Sequence, residues 1–207
     1  LHGGSAGSYS GSFDYEVVAT NRTALPLDIE SYVYDDMDLS PDSDRLSAPS
    51  PNGSVIKQTT CRIGTHRLYA TDTEPLAPDA FNLDMFEGRL ASRGDQPTLL
   101  DYLRDGAPTD LTALPNASPD LEVDRVYAKQ YHLHLPPFQS ESIRGSLSVA
   151  AFPRGDLNCN LALDYAGDFP AFLAAFGRPI TKGVEPDYNG DGVVGLGDYS
   201  IFRSLFH

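Results

Sequence analysis

Asp187-Tyr188-Asn189-Gly190-Asp191-Gly192-Val193, running on to Asp198, puts oxygen-bearing side chains at alternate residues of a short stretch punctuated by glycine. Calcium is a hard cation that takes roughly six to eight oxygens. A twelve-residue loop supplies them from the side chains at positions 1, 3 and 5, the backbone carbonyl at position 7 and a carboxylate at position 12. Asp187, Asn189 and Asp191 hold the first three positions, Gly192 sits at the sharp turn, Val193 offers the carbonyl, and Asp198 closes at position 12. The competing reading is an Asx-rich turn with no metal.

The same unit occurs earlier as Asp156, Asn158, Asn160 and Ala162, with two departures. Leu161 replaces the turn glycine, which has a conformational cost. Gly167 occupies position 12, so the closing Asp168 comes one residue late and must be reached through a bulge, with Asp164 at position 9 as a further oxygen donor. The second loop is therefore the closer match, and two calcium ions are expected.

The segment after each loop repeats as well. Asp168-Phe169-Pro-Ala-Phe172-Leu-Ala-Ala-Phe176 aligns with Asp198-Tyr199-Ser-Ile-Phe202-Arg-Ser-Leu-Phe206. Spacings of three and four place these aromatics on one face of each of two short helices. Helices so short are marginal alone in water, so the two faces are expected to pack together, with the ions pinning the helix starts and folding coupled to metal.

Two loop-helix calcium repeats at a C-terminus resemble a dockerin domain, and the resemblance covers about residues 153–207. It implies an EF-hand-like calcium module without the entering helix, a secreted or cell-surface protein, and docking on a cohesin-like module. Cellulosomal dockerins often carry a Ser/Thr pair at loop positions 10 and 11 for cohesin recognition. Those positions are Leu196 and Gly197 here, and Gly155-Asp156-Leu157-Asn158-Cys159 looks like more divergent repeats. Calcium binding therefore carries over better than cohesin binding.

A formal net charge of -14 and a pI near 4.5 argue against nucleic acid or an anionic membrane surface as partner, and divalent cations are the natural counter-ions. No apolar run is long enough to span a bilayer. The sequence opens at Leu1 without methionine, as a processed secreted protein does and as a fragment also does. Cys61 and Cys159 are too far apart for a zinc motif. They are either one disulfide, expected to tie the N-terminal domain to the first loop, or two buried thiols. Asn21, Asn52 and Asn116 each begin an acceptor sequon, read either as glycosylation sites or as plain turn residues.

Residues 13–152 are long enough for a core of their own, and their pattern is mainly β. Phe13, Tyr15, Val17 and Ala19 alternate with Asp14, Glu16, Val18 and Thr20. Tyr127, Tyr131, Leu133 and Leu135 share one face of a later segment, and Leu147, Val149 and Ala151 repeat the period of two. Further strands are expected near residues 30–34, 54–60 and 66–71. Short strands separated by turn signals point to an immunoglobulin-like β-sandwich. One helix is expected after Pro97, carrying Leu99, Leu100 and Leu103 and ending at Gly106.

Catalytic chemistry finds little footing. His132 and His134 lie two apart on one strand face and read better as an exposed polar face than as a metal or catalytic pair. The acidic stretch of Asp35, Asp36, Asp38, Asp42 and Asp44 lacks loop spacing and reads as solvated. Arg93-Gly94-Asp95 and Arg154-Gly155-Asp156 spell a tripeptide too short to carry weight.

Residues 1–12 read as a Gly/Ser-rich tail that orders only against a surface, either its own sheet edge or an adjacent subunit. The leading expectation is a non-catalytic extracellular structural subunit of a calcium-stabilised assembly, with copies of itself as partner and a homopolymeric filament as one form. The alternative is a carbohydrate-binding or adhesion module delivered to a scaffold by its dockerin-like domain. A small secreted hydrolase is the third reading, and no nucleophile motif supports it.

Overall fold

The computed structural model describes residues 2–3, 10–37, 39, 45–46, 50–61, 67–85, 97–105, 107, 109–113 and 125–207. The Asn116 sequon, Asp38, Asp42, Asp44, the tripeptide at residues 93–95, Gly106 and most of the N-terminal tail lie outside them. The described residues are mainly β, with 40% of them in strands and 18% in helices. It divides into two compact units, Leu1–Gln58 with Ala70–Val149 and Thr59–Tyr69 with Ala150–His207. Residues 59–69 thus group with the C-terminal segment.

The strands are β1 (His2–Gly3), β2 (Ser10–Thr20), β3 (Leu27–Asp36), β4 (Arg45–Leu46), β5 (Val55–Thr60), β6 (Leu68–Thr73), β7 (Ala80–Met85), β8 (Arg125–Leu135) and β9 (Ser140–Ala151). They form two antiparallel sheets, one of six strands in the order β1-β2-β9-β6-β5-β4 and one of three in the order β3-β8-β7. The alternating segments at residues 13–20 and 127–135 and those near 30–34, 54–60, 66–71 and 147–151 all lie within or overlap strands. Strand β7, Ala-Phe-Asn-Leu-Asp-Met, is an addition to that set, because its polar positions Asn82 and Asp84 dilute the apolar signal although both are buried.

Within the first unit the sheets share their core. Met37, Leu83 and Tyr127 meet Ile56 and Ala70, and Tyr131 and Leu133 meet Ile143, with Ala19, Ile29 and Val33 beside them. Strand β8 is central and shows the logic of its position. Its odd-numbered residues face this core, while Val126 and Ala128 on the opposite face pack with Leu99 and Leu111. Those two leucines come from helix α1 (Leu99–Arg104) and a 3-10 turn at Leu111–Ala113. Helix α1 starts as its sequence suggests, with a capping box in which the Asp101 amide donates to Thr98 Oγ1 at 3.2 Å and the Thr98 amide to Asp101 Oδ2 at 2.8 Å.

Strand β2 is less covered. Tyr15 and Ala19 turn inward, but Phe13 and Val17 are 39% and 42% exposed. Strand β1 pairs only His2 with Ser12 and Gly3 with Gly11. The start of the tail therefore lies on its own chain's edge strand.

Candidate metal centre

The C-terminal segment forms two loop-helix units. Helices α2 (Tyr165–Ala175) and α3 (Leu196–Ser204) bury Phe172 and Phe202, whose rings stack at 4.8 Å. Phe169, Tyr199 and Phe206 join this cluster with Leu157 and Val194, and the Tyr165 and Tyr199 hydroxyls meet at 3.1 Å. The aromatic faces pack against each other, as the spacing demands.

In the second loop, ligand oxygens of Asp187, Asp191 and Asp198 lie within 4.8 Å of one another, and Asp187 and Asp198 are buried. The backbone wraps around Asp187. Its Oδ1 accepts from the Gly190 and Asp191 amides at 2.9 and 3.1 Å, and its Oδ2 from the Gly192 and Gly183 amides at 2.9 and 3.0 Å. Burial pushes this carboxyl up, yet the four amides outweigh it and hold Asp187 below the usual carboxylate range. Asn189 Oδ1 accepts from the Asp191 amide and Asp191 Oδ1 from the Val193 amide, both at 2.8 Å. Asp198, in the first turn of α3, accepts from the Asn189 amide at 2.9 Å and the Gly195 amide at 2.8 Å. Gly192 takes φ of +91°, the left-handed turn that its position requires.

The first loop repeats the pattern. Asp156 accepts from the Asn160 and Leu161 amides at 3.1 and 2.8 Å, and Ala162 donates to Asn160 Oδ1 at 2.8 Å. Asp168 accepts from the Leu157, Asn158 and Asp164 amides, so the late residue does reach the loop's start. The departures remain visible. Leu161 and Cys159 take positive φ, 65° and 58°. Asp164 caps α2 by accepting from the Gly167 amide at 2.6 Å, which commits one of its oxygens. Burial pushes Asp156 up despite its amide donors. Among the described residues, the one set of three acidic, His or Cys ligands gathered this closely is that of the second loop.

All the side-chain donors are carboxylate or amide oxygens, the set that suits a hard divalent cation and suits a soft one poorly. When bound, such an ion neutralises the facing carboxylates. The chain's own residues fix the loop and start the helices.

Two further features of this unit bear on the first loop. Cys61 and Cys159 are bonded, with Cα atoms 6.0 Å apart. Both belong to the second unit, so the bridge lies inside that unit instead of tying the N-terminal domain to it. Arg67, which is buried, donates to the Asp156 carbonyl oxygen and pairs with Glu185. Sequence reasoning missed Arg67, and nothing in its neighbours marks it.

The remaining candidates resolve differently. Asn21 is 1% exposed and its Nδ2 donates to the carbonyl oxygens of Leu25, Leu135 and Pro136. A side-chain amide so enclosed holds the turn by its contacts with the backbone. Asn52 is exposed in a turn, with its Oδ1 accepting from Ser54. His132 and His134 stand exposed on the outer face of β8. His132 Nδ1 is 3.2 Å from Asp79, and His134 Nδ1 is 2.6 Å from Asp28, its cross-strand neighbour. Among the described residues no helix is long and apolar enough to cross a membrane. The sequence matches no protein-family model, and a search of curated proteins found no similar one.

Proposed function

We propose that this chain is a non-catalytic extracellular structural subunit in which a dockerin-like module, stabilised by two calcium ions, follows an immunoglobulin-like β-sandwich, and that it assembles with copies of itself. The observation that carries the calcium reading is the second loop, where three carboxylates converge within 4.8 Å and the backbone holds Asp187 in place. A cluster of like charges is unfavourable unless a cation accompanies it. The disulfide fits an oxidising compartment, and the net charge of -14 fits a surface that recruits cations.

Self-association draws its support from β2. Beyond Gly11 and Ser12, which pair with β1, no described strand lies on that side of β2, and Phe13, Val17 and Val18 are 39%, 42% and 57% exposed. Open apolar edges invite strand addition. The tail itself gives no argument for a neighbouring subunit, because His2 and Gly3 pair within the chain. The test is light scattering and negative-stain microscopy in calcium and in chelator. Calcium-dependent oligomers or filaments are expected, and Val18→Lys, which places a charge on the edge, is expected to weaken them. A monomer at high concentration in calcium overturns self-assembly.

A second reading, a binding module docked on a scaffold, is favoured by exposed Leu173, Phe176 and Leu196 on the helical pair, at 53%, 42% and 75%. Leu196 holds the loop position at which the dockerin resemblance puts partner contacts. Monomeric protein that binds a cohesin-like module or a glycan array supports this reading over self-assembly.

A further inference from the structure

Strand β8 carries a lysine where its pattern demands an apolar residue. Tyr127, Lys129, Tyr131 and Leu133 share its inward face, and Lys129 is 0% exposed. Opposite it, β6 and the residue beyond its end present Asp72 and Glu74, two apart and therefore on one face, at 0% and 2% exposure. Lys129 Nζ is 2.6 Å from Asp72 Oδ2 and 3.1 Å from Glu74 Oε2. Three tyrosine hydroxyls close the cluster. Tyr127 donates to Asp72 Oδ2 at 2.9 Å, Tyr131 donates to Glu74 Oε2, and Tyr15 lies 3.1 Å from Asp72 Oδ1 and 2.5 Å from Glu74 Oε1. All six residues belong to the first unit.

We propose that Lys129 and Asp72 are joined by a side-chain amide that the fold itself forms, with Glu74 as proton shuttle. The reaction starts from the neutral amine and carboxylic acid, reached by proton transfer between Lys129 Nζ and Asp72 Oδ2, which lie 2.6 Å apart with both side chains fully buried. The Nζ lone pair attacks Asp72 Cγ, and the carbonyl electrons move onto oxygen, where a tyrosine hydroxyl donates to the developing oxyanion. Glu74 takes a proton from Nζ and returns it to the departing hydroxyl. The Cγ–O bond breaks with its electron pair, and water leaves. One C–N bond replaces one C–O bond, Glu74 is regenerated, and no oxidant or cofactor is consumed.

Two physical terms favour the step. Holding nucleophile and carboxyl in contact raises their effective concentration by many powers of ten. Exclusion of water removes the species that would reverse it. Burial also pushes the Glu74 carboxyl up, against the hydrogen bond from Tyr15 and the charge of Lys129, which suits a group that must both accept and return a proton. The product links β6 of the six-stranded sheet to β8 of the three-stranded one, across 57 residues of sequence.

The test is the intact mass of the full-length chain after disulfide reduction. A mass one water below that of the sequence is expected. A tryptic digest should then contain a branched peptide joining the Asp72 and Lys129 segments, with no cleavage after Lys129. Lys129→Met, which keeps an apolar stem and removes the nucleophile, should restore the full mass. Glu74→Gln, near-isosteric, should form the link roughly 100-fold more slowly or worse. Full sequence mass in the reduced wild-type protein, or water lost at any other site, overturns the proposal. A Glu74→Gln chain that cross-links at the wild-type rate overturns the shuttle role.

Discussion

Asp187 is held by four main-chain amides, from Gly183, Gly190, Asp191 and Gly192, and this separates its two roles. Asp187→Ala should abolish the tighter calcium event in titration calorimetry. It should also lower the melting temperature in chelator, because part-buried donors lose their acceptor at about 1–3 kcal/mol per unsatisfied group, less where water replaces it. Asp156→Ala should remove the weaker event and spare the tighter one. Gly145 makes a sharper steric prediction. A Cβ there would sit 2.3 Å from Tyr15 Cζ and Oη, so Gly145→Ala must displace Tyr15 from Asp72 and Glu74, at about 1–3 kcal/mol of overpacking; chemical denaturation measures it. Sequence made the loop ligands legible because calcium chemistry fixes their spacing. It left Asn21 open, since a sequon and an Asx turn use the same residues. Lys129 stood in plain view as a charged residue between the inward-facing Tyr127 and Tyr131 of β8, and its partners were hidden because the strand expected near residues 66–71 stopped short of Asp72 and Glu74.

The helices and strands differ in what sustains them. Helices α2 and α3 span 11 and 9 residues, too short to persist without tertiary support. Their support is the Phe172 and Phe202 stack and the loops that start them. Chelation should therefore strip helical ellipticity and lower the melting temperature of the second unit, while the strand signal of the first unit persists. Unchanged helicity in excess chelator would remove the metal from the account. Aromatic spacing revealed both helices, but not where they begin. Asp164 caps α2 and Gly195 precedes α3, so both Asp168 and Asp198 lie inside the first turn and not ahead of it. Strands with one dry face alternated visibly. Strand β7 did not, because Asn82 and Asp84 are buried polar groups whose partners are set by tertiary structure: Asn82 Nδ2 donates to the Leu111 carbonyl, and Asp84 Oδ2 accepts from the Leu99 amide.

At the scale of the whole molecule, linear order misstates which residues fold together. The motif drew a boundary at residue 153, yet Thr59–Tyr69 belongs with the C-terminal unit, and it brings Cys61 and Arg67 to the first loop. A repeat announces itself through spacing, whereas a distant segment recruited by a disulfide and a buried arginine leaves no periodic trace. The consequence concerns the imperfect loop. Cys159 takes φ of 58° between Asn158 and Asn160, and Arg67 holds the Asp156 carbonyl oxygen, so part of the cost of turning without a glycine is carried by Cys61 and Arg67. The bridge closes a sequence separation of 98, worth about 4–5 kcal/mol in the chain-entropy account. Residues 150–207 produced alone, with Cys159 reduced, should therefore keep the tighter calcium event at the Asp187 loop and lose affinity at the Asp156 loop. Cys61→Ser in the full chain should reproduce that selective loss. Calorimetric titration of both proteins reads the two events separately, and equal weakening at both loops would mean that the bridge acts on global stability alone, with no local hold on the first loop.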